Sequence, residues 1–122
     1  MSVSVLLVDD HEQFRFEARA MLEAEGYSVA AEAVDAASAL REAERIGPDV
    51  ILLDLGLPDR SGLDIVAPLR SVAPGARVML VSARPRTDYG DRIAACGADA
   101  FIDKATLTPA SLAAALQAAT SA

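Results

Sequence analysis

The 122-residue sequence has no tryptophan, one histidine, one cysteine, and a single lysine beside ten arginines. A lone cysteine, Cys96, can form no internal disulfide and supplies no metal-site spacing, so it reads as a small core residue. Long apolar runs are missing too. The first one, in MSVSVLLVDD, is broken by two acids after six residues, too short for a signal peptide or a membrane span, which places the chain in the cytoplasm without membrane contact. There is no excess of positive charge: the net charge of −7 argues against direct binding to nucleic acid or an anionic membrane. No repeat, linker or low-complexity tract interrupts the chain. Its length suits one domain, 1–122, around one core, with no room in it for a DNA-binding head.

What is present is an alternation of strand-like and helix-like segments, half of the residues being apolar. Such alternation predicts an α/β fold, a parallel sheet with helices on both faces. Val3–Val8 is a short apolar run suited to a central strand. A helix stripe at Phe14, Ala18, Met21, Leu22 and Glu25 follows, stopped at Gly26. Phe16 falls on the opposite side of that helix and is expected either to fold down over its neighbours, the reading favoured, or to serve as a contact for a partner. Tyr27–Ala33 reads as an edge strand, and Asp35 caps a helix with its stripe at Ala36, Ala39, Leu40 and Ala43. Asp49–Leu53 is a third strand ending on Asp54. Ser61 and Asp64 have the spacing of a capping box, and Pro68 is expected to kink the third helix or end it early.

Arg77–Val81 is the fourth strand, leading through Ser82 into the loop ARPRTDYG. A helix over about 88–96, with Pro85 before it and Gly90 in its first turn, is the weakest and is expected to be the most mobile. Ala100–Ile102 is a short fifth strand, followed by Asp103 and Lys104. Thr108, with Pro109 next, caps a last helix with its stripe at Leu112, Ala115, Leu116 and Ala119.

Parallel strands joined by right-handed crossovers present their C-terminal ends along one edge, where ligands of such sheets bind. That edge receives Asp9 and Asp10 from the first strand, Asp54 from the third, Ser82 from the fourth and Lys104 from the fifth. Carboxylates sharing a crevice repel by about 4 kcal/mol per close pair at an effective dielectric of 20, so the cluster calls for a cation. An all-oxygen donor set favours Mg2+, which keeps waters and bridges to phosphate oxygens. Lys104 and the Ser82 hydroxyl can then hold phosphoryl oxygens, and the Asp54 carboxylate, needing no general base, can serve as the nucleophile. A phosphatase would want a second acid where Gly56 stands, and a flavodoxin-like cofactor site would want a phosphate-cradling loop where Asp9 and Asp10 stand.

Taken in order, LLVDD, DLGLPDRSG, Ser82-Ala83 and GADAFIDK resemble the receiver domains of two-component response regulators, from Val3 to about Ala119. The resemblance implies a doubly wound five-stranded sheet of flavodoxin-like order 2-1-3-4-5 with five helices. It implies Asp54 as phosphoacceptor and Asp10, Asp54 and the Gly56 carbonyl as Mg2+ ligands, with Asp9 acting through water. Ser82 and Lys104 match the switch hydroxyl and the phosphate-binding lysine, and Phe101 the aromatic that turns inward on phosphorylation. The implied donor is a phosphohistidine on a sensor histidine kinase or a histidine phosphotransfer protein. The output passes to a further domain, a partner protein or a second copy of the chain. Such a chain catalyses its own phosphoryl transfer and slow dephosphorylation but is mainly a switch. The alternative is a receiver-like interaction module that never takes phosphate. Two departures stand out: Ala105 replaces the common cis-proline, and Arg84-Pro85-Arg86 occupies a loop that often holds small or apolar residues. Ala105, DDHEQFR and LGLPDRSG are most like receivers of LuxR-type regulators, which normally carry a C-terminal helix-turn-helix.

Overall fold

In a strand, successive side chains point to opposite faces, so an unbroken apolar run can feed two cores at once. Strand β1 (Ser4–Val8) does so. Its Val5 and Leu7 join one buried cluster, while Leu6 and Val8 join the other. Strand β3 (Val50–Asp54) divides in the same way, with Val50 and Leu52 on the first face and Ile51 and Leu53 on the second. The computed structural model describes residues 2–120, of 119 and 120 the backbone alone. With β2 (Ser28–Ala33), β4 (Arg77–Ser82) and β5 (Ala100–Asp103), these strands form one sheet in the order β2-β1-β3-β4-β5. All four pairings are parallel.

Helices α1 (Glu12–Ala24) and α5 (Pro109–Thr120) cover the first face through Ala18, Leu22, Leu112 and Leu116. Helices α2 (Ala36–Ile46) and α3 (Gly62–Val72) and the short α4 (Arg92–Ala95) cover the second. The expected stripes are thus the core-facing ones, except that Glu25 is exposed at the C-cap of α1 and the side chain of Ala119 lies outside the described residues. The expected edge strand is β2, whose burial alternates.

Helix boundaries follow local chemistry. Asp35 caps α2 by accepting from the Ser38 N–H, and the Ser38 hydroxyl closes the box. The hydrogen bond from the Ser38 hydroxyl to Asp35 is the main reason that the Asp35 carboxyl is held below its usual range. Thr108 and Ser111 exchange the equivalent pair of bonds at the start of α5. At α3 the Ser61 hydroxyl accepts from Leu63 N–H, and Asp64 gives its backbone N–H to the Ser61 carbonyl. The expected capping box is therefore only half formed.

Pro68 does not end α3 early, since the helix runs on to Val72. Proline leaves the carbonyl four residues back without its helical donor. That carbonyl, of Asp64, instead accepts from Arg60 Nη2 at 3.1 Å. The surrogate donor relieves the defect. The weak helix after β4 proves to be two pieces, a 3-10 turn (Arg86–Tyr89) and the four-residue α4, parted at Gly90 with φ 57° and ψ −135°. Such a backbone is open only to glycine at low cost. Phe16 does not fold down; it is 71% exposed.

Candidate functional site

Strand β1 ends by delivering Asp9, which is fully buried, and β3 ends on Asp54, only 4% exposed. Arg15 on α1 fixes the first of these ends by donating from Nη1 to the Asp9 carbonyl at 2.7 Å, while its Nε holds Glu32 on β2. The end of β3 is fixed by close backbone approach. A Cβ on Gly62 would lie 2.6 Å from the Asp54 carbonyl oxygen and 2.9 Å from Leu55 Cα, so only glycine lets α3 begin this near the strand. Asp59 anchors the intervening loop, accepting from the N–H groups of Ala36 and Ala37 at the start of α2. Those donors, Ala36 first, hold its carboxyl below the usual range.

After β5, the Asp103 carboxylate accepts from Ala105 N–H and opens the 3-10 turn Lys104–Thr106. No cis peptide occurs among the described residues, Ala105 included. Lys104 therefore leaves the strand end aimed at the acids. Its Nζ is 2.6 Å from Asp9 Oδ2 and 3.7 Å from Asp54 Oδ1, and it stands over the Phe14 ring, 4.3 Å from the centroid. The ring face adds a cation–π attraction that helps hold the ammonium in place.

Asp10, on the exposed side, completes the acidic cluster, together with His11. His11 stands at the N-cap of α1 but makes no side-chain cap bond. Its Nδ1 lies 3.0 Å from Asp9 Oδ1 and 3.2 Å from Asp10 Oδ1. One ligand atom from each of Asp9, Asp10, His11 and Asp54 falls within 4.8 Å of the others.

Burial pushes the Asp54 carboxyl above its ordinary range, and the Asp9 charge raises it further; the Gly56 N–H and Lys104 pull the other way. The Gly56 N–H donates to Asp54 Oδ1 at 3.2 Å, leaving Asp54 Oδ2 without a hydrogen bond. Asp9 Oδ2 likewise has none in good geometry, although it forms the close ion pair with Lys104. Two buried carboxylate oxygens with unused lone pairs, beside a third acid, are an acidic pocket fitted for a hard divalent cation.

Ser82, buried at the end of β4, belongs by alternation to the opposite face from Asp54 and Lys104, with Val78 and Leu80. Its Oγ accepts from Arg84 N–H at 2.9 Å and lies 2.7 Å from the Tyr89 hydroxyl. The Tyr89 ring in turn meets Phe101 at 6.2 Å between centroids, tilted by 60°. Phe101 is half-buried against the α2/α3/α4 core. A cleft of about 130 Å3 opens among His11, Asp54, Gly56, Ser82, Tyr89 and Lys104.

The sequence-predicted residues Asp9, Asp10, Asp54, Gly56, Ser82 and Lys104 are therefore gathered at one edge, with Phe101 one ring removed. Phe14, Gly62 and Tyr89 were missed. Nothing local distinguished Tyr89 from the rest of its polar loop, or Gly62 from an ordinary helix-start glycine.

Residues 5–117 match the response regulator receiver domain, and the chain belongs to that family. It is a receiver domain of two-component signalling. Among curated relatives, it is 43% identical over 102 residues to the transcriptional regulatory protein KdpE of Mycobacterium tuberculosis, covering 82% of this chain and 43% of KdpE. The chain spans less than half the length of the curated relatives it matches. A LuxR-family response regulator from Aurantimonas superposes with a TM-score of 0.87 at 30% identity, over 97% of this chain and 84% of that one. A Burkholderia pseudomallei response regulator, solved with a phosphorylated aspartic acid, a calcium ion and citrate, gives a TM-score of 0.85 at 30% identity, over 96% and 69%. No helix among the described residues is long and apolar enough to cross a membrane.

Proposed function

We propose that Asp54 is the phosphoacceptor of this receiver, taking a phosphoryl group from a phosphohistidine on a sensor histidine kinase or a histidine phosphotransfer protein in the cytoplasm. The observation that carries this is the buried Asp54 Oδ2, free of hydrogen bonds in a cleft shared with Lys104 and Ser82. An Asp54 oxygen forms the new P–O bond as the P–N bond to the donor imidazole breaks, its electron pair staying on the imidazole nitrogen. Positioning and charge neutralisation then supply most of the rate.

Lys104 is already held by Asp9 and Phe14 at the rim of the acceptor, so it can balance phosphoryl charge with little reorganisation. Ser82 offers a hydroxyl to a second phosphoryl oxygen. Asp10, Asp54 and the Gly56 carbonyl would hold Mg2+, with Asp9 behind them. Bound there, Mg2+ would neutralise the acids and the incoming phosphoryl charge. The negative charge gained at Asp54 biases Ser82 and Phe101 toward a second arrangement, read by an output domain, a partner protein or a second copy. The unit that does this is residues 1–122.

Incubation with Mg2+ and acetyl phosphate should add one phosphoryl group, seen by mass spectrometry, and Asp54→Ala should remove it. No adduct on the wild type, or an equal one on the variant, would overturn the assignment.

A further inference from the structure

Tyr89 is the one aromatic hydroxyl that reaches the cleft, and nothing in the mechanism above uses it. Its partner, Ser82 Oγ, has one proton and two lone pairs. One lone pair is engaged by the Arg84 N–H. Whichever of the two oxygens donates, the 2.7 Å bond holds Ser82 Oγ toward Tyr89, so the hydroxyl cannot turn to a phosphoryl oxygen while the bond is kept. Tyr89 also lies on the 3-10 turn just before the Gly90 break, where a local shift disturbs little else.

We propose that Tyr89 is a positioning residue that locks Ser82: its hydroxyl holds Ser82 Oγ in the unphosphorylated arrangement, and phosphorylation must break that bond. This inference rests on the reading of Asp54 as phosphoacceptor. When Ser82 turns to the phosphoryl group, the Tyr89 hydroxyl loses its partner. The ring, already against Phe101, then carries the change to β5 and into the turn Arg86–Tyr89. The lock is a property of this chain's own loop, because it depends on a tyrosine seven residues beyond the strand-end serine.

Removing the hydroxyl while keeping the ring, Tyr89→Phe, should free Ser82. Loss of one neutral hydrogen bond from the resting arrangement shifts a two-state equilibrium by roughly fivefold. A ligand that selects the other arrangement gains by the same factor. Beryllofluoride with Mg2+, a phosphoryl mimic, should therefore bind Tyr89→Phe about fivefold more tightly than wild type. In a Ser82→Ala background, the same change should have no effect, since the lock acts through Ser82; a merely structural role for Tyr89 would act in both.

A second readout uses the absence of tryptophan. Tyr27 and Tyr89 are the two tyrosines, and Tyr27 lies beside the start of β2, at the far end of the sheet. In Tyr27→Phe protein, the ring-carbon NMR signal of Tyr89 should move when Asp54 is phosphorylated. If the wild type responds to beryllofluoride and forms its adduct, yet Tyr89→Phe binds the mimic equally or more weakly, the lock is overturned and Asp54 stands. An unmoved Tyr89 signal in phosphorylated protein, or an equal effect of Tyr89→Phe without Ser82, also overturns the lock alone. A wild type that takes neither mimic nor phosphoryl group overturns both.

Discussion

Helix α3 and the segment Arg86–Ala95 cover the same face of one sheet, yet they are built to opposite standards. Helix α3 buries Leu63, Ile65, Val66 and Leu69, starts at a Ser61 cap and has even its proline defect filled by Arg60. The segment after β4 is two short pieces around Gly90, whose backbone only glycine adopts at low cost, and buries Ile93 alone. The first stands behind Asp54 and holds it still; the second carries Tyr89 from Ser82 toward solvent. The buried acids thus sit on the stiff part of the molecule, and the segment that carries Tyr89 is attached by few apolar groups. Low local stability is what a switching element requires.

Several measurements can break this contrast. The largest expected effect is on α3: Leu69→Ala, at a fully buried site, should lose about 4 kcal/mol of unfolding free energy, against about 2 for Ile93→Ala, where the loosely held segment can collapse inward. Equal losses in denaturant titrations would remove the distinction. Gly62→Ala comes next, with about 2–3 kcal/mol lost and phosphoryl uptake reduced, because the new methyl group must displace the backbone of Asp54 or Leu55. Gly90→Ala meets no neighbouring atom, so its loss, about 1–3 kcal/mol, should be backbone strain alone, with phosphoryl uptake unchanged.

Asp54→Asn should change stability in the opposite direction. A carboxyl whose folded pKa is raised is costly to the native state wherever it is ionised. The gain should thus be present at neutral pH, its main cause being burial of the ionised carboxylate, with the Asp9 charge second. It should fade as pH falls through the raised value and vanish below the usual 3.8, where the acid is protonated in both states. A gain that persists at acidic pH would point to packing rather than charge. A last test changes no residue: in amide exchange, Arg92–Ala95 should be less protected than β1.

Much of this was readable residue by residue. The apolar runs located every strand to within one residue: β1 and β2 start one residue later than Val3 and Tyr27, β3 is shifted by one to Val50–Asp54, and β4 and β5 each run one residue further, onto Ser82 and Asp103. The caps Asp35 and Thr108 were readable because a short polar side chain before a stripe has few other uses. The capping box at Ser61 was half wrong because the Ser61 hydroxyl takes the Leu63 N–H, and the Asp64 N–H goes to the Ser61 carbonyl instead. Phe16 was misjudged because helical spacing gives a side chain's direction but not whether anything lies there to cover it.

By itself, the sequence determined the alternation of strands and helices and the placing of Asp9, Asp54, Ser82 and Lys104 directly after apolar runs. Both are local: strand period and the cost of burying charge act within a few residues. Tertiary structure alone decided the pairings: Lys104 on Asp9 above Phe14, Gly62 against the Asp54 backbone, and Tyr89 on Ser82. These depend on the paths of loops from different strands meeting at one edge, and a hydrogen bond or an ion pair is decided by differences of less than an ångström in those paths.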